Sequence, residues 1–224
     1  MSHTTPHAVP HAVPPAVPSV WTRRSTGASP ELRQERAVRT RADVLHAAAE
    51  CFAEHGFRST SLKEVADRAE LTKGAVYFHF PTKEALAVAV IEEHYSTWPQ
   101  LLAELAAEDL GPWELAMEML DRAALAFRDD VAVRAGARLQ IERSLIDAPL
   151  PEPYVGWVEV LTELLEQARR AGQLQPDVDP AVAARCLVAS FFGMQHISDV
   201  LHRRADILER WAELQKTFAK AMHA

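Results

Sequence analysis

The chain has 224 residues, 48% hydrophobic and 25% charged, the balance of a soluble globular protein rather than a fibrous or wholly disordered one. No apolar run approaches the roughly 20 residues that span a bilayer, and the only two cysteines, Cys51 and Cys186, offer neither a disulfide scaffold nor a C-x-x-C spacing. The net charge of −7 is uneven, with 11 Lys+Arg against 8 Asp+Glu through residue 83 and 13 against 23 beyond it, as suits an acidic body whose front third alone meets a polyanion. A cytoplasmic protein with no membrane partner is expected.

Residues 1–30 carry prolines at 6, 10, 14, 15, 18 and 30 around a near-repeat, His7-Ala8-Val9-Pro10 and His11-Ala12-Val13-Pro14. This composition reads as a disordered, partly polyproline arm; proline interrupts it too often for a signal peptide, and its histidines do not converge on a metal. From Glu35 onward the period is helical. Val38, Ala42, Leu45, Ala49 and Phe52 form the apolar face of a first helix that ends near Gly56, a plausible left-handed cap. Arg39 and Arg41 on that helix suit either a solvated face or a phosphate or minor-groove contact.

Ser61 and Glu64 have the spacing of a capping box and start a short helix with Leu62, Val65, Ala66 and Ala69 on one face. Glu70-Leu71 leaves room only for a tight corner, and Thr72 caps a second short helix through Phe78. Two short helices, a corner plugged by Leu71 and Val76, and a small Ala66 at the crossing make a helix-turn-helix. Thr72, Lys73, Tyr77, His79 and Lys83 supply hydrogen-bond donors on and after the second helix, while Ser61 and the helix-start amides beside it suit phosphate oxygens. Gly74 costs about 1 kcal/mol against Ala in a helix. Close approach to DNA explains it, and so does simple fraying.

The stretch from Thr60 to Ala66, then Leu71-Thr72-Lys73-Gly74-Ala75-Val76-Tyr77-Phe78-His79-Phe80 and Lys83-Glu84-Ala85-Leu86, resembles the DNA-binding signature of TetR-type repressors. The resemblance implies a homodimer on double-stranded operator DNA, a three-helix DNA-binding domain over 31–83, and a C-terminal effector-binding and dimerisation domain over 84–224. It also implies that Lys73, Tyr77, His79 and Lys83 touch DNA, mostly at phosphates.

Helices are expected at 112–129, 131–146, 153–171, 180–201 and from 206 to the end, giving an all-α chain of roughly nine helices. Leu120 lies on the apolar face of the first of these. Polar or aromatic groups interrupt the apolar faces at Tyr95, Trp98, Gln140, Tyr154, Trp157, Phe192 and the Gln195-His196 pair, and each suits either a ligand site or core packing. Residues 182–197 are apolar nearly all round, and Ile207, Trp211, Leu214, Phe218 and Met222 make a further stripe, which two chains joined through four helices would bury.

Glu92-Glu93-His94-Tyr95, Phe127-Arg128-Asp129-Asp130, Ala135 to Gln140, Pro153-Tyr154 with Trp157, and Phe191 to His196 resemble the gamma-butyrolactone-type autoregulator receptors of antibiotic-producing filamentous bacteria, from about residue 31 onward. The resemblance implies a repressor that leaves its operator when a butyrolactone, butenolide or furan carboxylate enters the pocket; pseudo-receptors of the same fold answer other ligands, such as antibiotics. No G-x-S-x-G, glycine-rich phosphate loop or H-E-x-x-H supports an enzyme, and no cofactor or metal site is expected.

Overall fold

The structure, a computed structural model, describes residues 31–224; the proline-rich arm expected over 1–30 lies outside the described residues. Among the described residues there are nine α-helices and no strand. They are α1 (Glu31–Ser59), α2 (Leu62–Arg68), α3 (Lys73–His79), α4 (Lys83–Leu105), α5 (Pro112–Asp129), α6 (Val131–Ile141), α7 (Val155–Arg170), α8 (Pro180–His202) and α9 (Ile207–Met222). None is long and apolar enough to cross a membrane.

The chain packs as two compact units. One unit joins α1–α3 and α4 as far as Pro99 to residues 126–153, which hold α6. The other holds residues 100–125 and 154–224, with most of α5 and all of α7–α9.

In the first unit, Val44, Ala48 and Phe52 of α1, Val65 and Ala66 of α2, Val76 of α3 and Leu86 of α4 are almost completely buried. The expected face of α1 begins one turn too early: Val38 and Ala42 are exposed, and burial starts at Val44. Apolar spacing alone does not reveal where a helix runs out past its partners. The capping box forms as expected, Ser61 Oγ accepting from the Glu64 amide at 3.2 Å. Thr72 caps α3 by accepting from the Ala75 amide, also at 3.2 Å.

Several helix ends differ from their expected places; α1, expected to end near Gly56, kinks there and runs on to Ser59. The helix expected over 131–146 stops at Ile141 and gives way to a 3-10 turn at Arg143–Leu145. The helix expected from Pro153 begins at Val155, because Tyr154 adopts a left-handed backbone with φ 68°. The last helix ends at Met222, and Leu174 makes an isolated bridge to His223.

The second unit packs Trp157 against Phe191 with ring centroids 6.4 Å apart, and Phe191 edge-on against Trp211 at 5.3 Å. Trp211 donates its indole N–H to Asp121 at 2.5 Å, satisfying a polar atom that burial would otherwise strand. Leu120, Leu161, Leu164 and Leu187 are fully buried in the same core.

Candidate nucleic-acid interface and effector residues

The outer surface of the helix-turn-helix is set by burying one side of α3. Val76 and Phe80 of the α3 region point inward, which leaves Thr72, Lys73, Gly74 and Tyr77 exposed together. Lys73 Nζ lies 5.4 Å from the centre of the Tyr77 ring, so the ring's electron-rich face helps to hold the ammonium in place. Ser61 is exposed at the start of α2, and Arg39 is exposed on α1. Arg41, also exposed, stacks its guanidinium 5.1 Å from the Phe80 ring centre. His79 is partly buried; burial, helped by the Arg41 charge, pushes its pKa below the ordinary histidine value, so the ring is neutral at neutral pH.

Lys83 is placed differently from the other basic groups. Its ammonium donates to the Phe57 carbonyl at 2.8 Å and to the Arg58 carbonyl at 3.4 Å, and it sits 4.4 Å from the Phe57 ring centre. It therefore neutralises carbonyls at the end of α1, where a helix carries partial negative charge. Its cation is turned toward the protein.

The same corner is gripped from α6. The Phe57 amide donates to Glu142 Oε2 at 2.6 Å, while Arg138 donates to Glu142 Oε1 at 3.1 Å and to the carbonyls of Ala53 and Glu54, each at 3.0 Å. Gly56, with φ 76°, turns the chain here, and a Cβ on it would collide with Glu142 Oε1. The positive φ favours glycine at this position, and any larger residue would also have to displace the Glu142 carboxylate.

On another side of α6, between Arg138 and Glu142 in sequence, Gln140 joins a buried polar and aromatic cluster of the same unit. Gln140 Nε2 donates to the Tyr95 hydroxyl at 2.9 Å, and Trp98 stacks on Phe127 at 6.1 Å. His94, which the sequence places only within a resemblance, sits edge-on to Trp98 with ring centroids 5.2 Å apart and packs directly on Gly136. Burial lowers its pKa to about 4 despite an opposing hydrogen bond to the Val133 backbone, so the ring is neutral at physiological pH. His94 Nδ1 and Gln140 Oε1 are buried without a hydrogen-bond partner. The signal for His94 was the periodicity of α4, which puts residues 91, 94, 95 and 98 on one side.

The remaining expected effector residues lie in the other unit. Leu120 and Trp157 are core residues, Phe192 is half-buried, and Tyr154, itself 38% exposed, packs on Phe192 at 4.7 Å. His196 is exposed on α8, so it does not share the buried side of that helix with Phe191. Gln195 and Ser198 are the buried polar groups there; Gln195 lies within 3.5 Å of Arg204, whose guanidinium also pairs with Asp199 at 3.1 Å. Both Gln195 and Arg204 are thus engaged in holding the corner between α8 and α9.

Val182, Cys186, Ala189, Gly193, Ile197 and Leu201 are exposed at helical spacing on α8, together with Val200. Cys51 is buried, which raises its thiol pKa to about 11 and leaves it unreactive at neutral pH. No group of three or more His, Cys, Asp and Glu suited to a metal ion occurs among the described residues.

Two family patterns match this chain. Residues 44–90 match the bacterial regulatory proteins of the tetR family, and residues 116–223 match a tetracyclin repressor-like C-terminal domain. The A-factor receptor protein of Streptomyces griseus is 36% identical over 182 residues, which cover 81% of this chain; the chain spans only 63% of that relative's length. A solved structure bearing on the control of antibiotic production by bacterial hormones is 58% identical, with a TM-score of 0.78 over 84% of this chain and 99% of that one. CprB from Streptomyces coelicolor, solved with its operator sequence, is 33% identical, with a TM-score of 0.76 over 84% of this chain and 90% of that one. With both halves matched and the operator-facing helices built as described, the chain belongs to the TetR family of DNA-binding transcriptional regulators.

Proposed function

We propose that this protein is a repressor that binds operator DNA as a homodimer and releases it when a small diffusible signal of the butyrolactone, butenolide or furan type binds, so controlling antibiotic biosynthesis genes from the nucleoid. Residues 31–83 are the DNA-binding domain and 84–224 the effector-binding and dimerisation domain in this reading. The likeness to the A-factor receptor and to the hormone-related structure supports the signal class. The exposed apolar stripe of α8 supports the dimer, because a surface of that kind is stable when a second copy covers it.

The observation that carries the mechanism is the double grip on Phe57. Its carbonyl is held by Lys83 of α4 and its amide by Glu142, the residue that closes α6. Tyr95 lies on α4 and Gln140 on α6, and they are hydrogen-bonded to each other. A signal whose hydroxyl or acid group replaces that bond moves the two elements that position the end of α1. In a dimer, α3 and its copy must lie about 34–36 Å apart to enter successive major grooves. A full switch requires the signal to favour the released state by several kcal/mol.

The test is fluorescence anisotropy of labelled DNA from upstream of the protein's own gene and neighbouring biosynthetic genes. It is run across a range of salt, with synthetic butyrolactone, butenolide and furan carboxylate probes and with extract of the source culture. Specific binding that weakens steeply with salt and is abolished by a probe or the extract is expected. Operator affinity undiminished at saturating, demonstrably bound signal would overturn the release mechanism.

A further inference from the structure

Phe78 is 80% exposed on α3, although the inward face of that region buries Val76 and Phe80. A lone exposed apolar residue is ordinary on a protein surface. This one stands among the DNA-facing donors Lys73 and Tyr77, and its neighbour one turn earlier is Gly74. A Cβ added at Gly74 would meet only Thr72 Oγ1, at 3.9 Å, so the chain's own packing does not require glycine there. Positions 74 and 78 are four apart and share one helix face. That face is a bare stretch of backbone ending in an aromatic ring, held edge-on to His79 with ring centroids 5.1 Å apart.

A base edge in the major groove displays one apolar group, the C5 methyl of thymine; every other feature is a donor or an acceptor. Phenylalanine has no hydrogen-bonding group with which to read the others. A side-chain-free turn at Gly74 lets the helix sink until the ring at Phe78 reaches the floor of the groove. From this we infer that Phe78 is a specificity-determining residue that recognises a thymine methyl at one position of each operator half-site, with Gly74 permitting the approach. The inference rests on the DNA-binding reading of α3.

The experiment begins by selecting duplexes from a random pool with the full chain. In the preferred duplex each thymine is then replaced by deoxyuridine, which removes the methyl and leaves the pairing intact. One symmetry-related thymine position should weaken binding by about fourfold per half-site, or about 15-fold when both are replaced, the equivalent of about 0.8 kcal/mol for each buried methyl group. Phe78→Ala should bind the thymine duplex with that same loss and show no further change on deoxyuridine replacement, with its melting temperature unaltered. If no thymine is sensitive, or if sensitivity persists unchanged in Phe78→Ala, the inference fails while DNA binding stands. Failure to select any duplex would overturn both.

Discussion

The outward surface of α3 and the cluster around Gln140 are both polar sites, but they are built in opposite ways. On α3, Thr72, Lys73 and Tyr77 are exposed and need no preparation beyond a helix held at the right angle. Around Gln140, the polar groups of His94, Tyr95 and Gln140 are at least nine-tenths buried and surrounded by Trp98 and Phe127. Charge on the first surface acts through solvent and is screened by salt, whereas each polar atom in the second carries a desolvation cost that one hydrogen bond more or less will change. One should therefore respond to ionic strength and the other to pH and to ligand chemistry.

The largest expected effect falls in the buried cluster. The folded pKa of His94, about 4, lies below its ordinary 6.5, so the fold favours the neutral ring. The resulting stability is complete above about pH 6.5 and is lost as the pH falls through about 4, a change of about 3 kcal/mol. Chemical denaturation between pH 7 and 4 should show this decline in the native chain and a shallower one in His94→Phe; equal slopes would refute it. Next is Lys73→Ala, which should weaken the operator complex of a dimer by about 100-fold and lower the salt slope by about one for each phosphate that is no longer neutralised. Signal affinity, measured by calorimetry, should be unchanged. The smallest effect is that of Gln140→Leu, which removes a buried amide whose Oε1 is unpartnered. It should leave operator affinity intact and weaken the signal by about tenfold, the scale of one hydrogen bond to a buried polar group. Loss of operator affinity instead would place Gln140 in the same role as Arg138 and Glu142.

The helix-turn-helix was legible because its determinants are local. Ser61 and Glu64 are three apart, Thr72 and Ala75 are three apart, and one helical period decides which side chains of α3 face inward. The exposure of Lys73 and Tyr77 followed from the same period. The spacing of Lys83 placed it near the exposed groups of α3 but could not show that its cation is held by the Phe57 carbonyl 26 residues away in sequence. The exposure of His196 was hidden in the same way: the helical pattern marked α8 as apolar nearly all round but could not say which side the core would take.

What the sequence determined by itself was the all-helical architecture, the capped helix-turn-helix and the family, all of which depend on residues within a turn or two of one another or on a linear pattern. What only the tertiary structure decided was the partnership of distant groups. Gln140 bonds to Tyr95 across 45 positions, the Phe57 amide to Glu142 across 85, and Arg138 to the Ala53 carbonyl across 85. A helix period fixes the direction of a side chain about its own axis, but a long-range hydrogen bond also needs the position and tilt of a second helix. Those are set by how all the apolar faces pack at once.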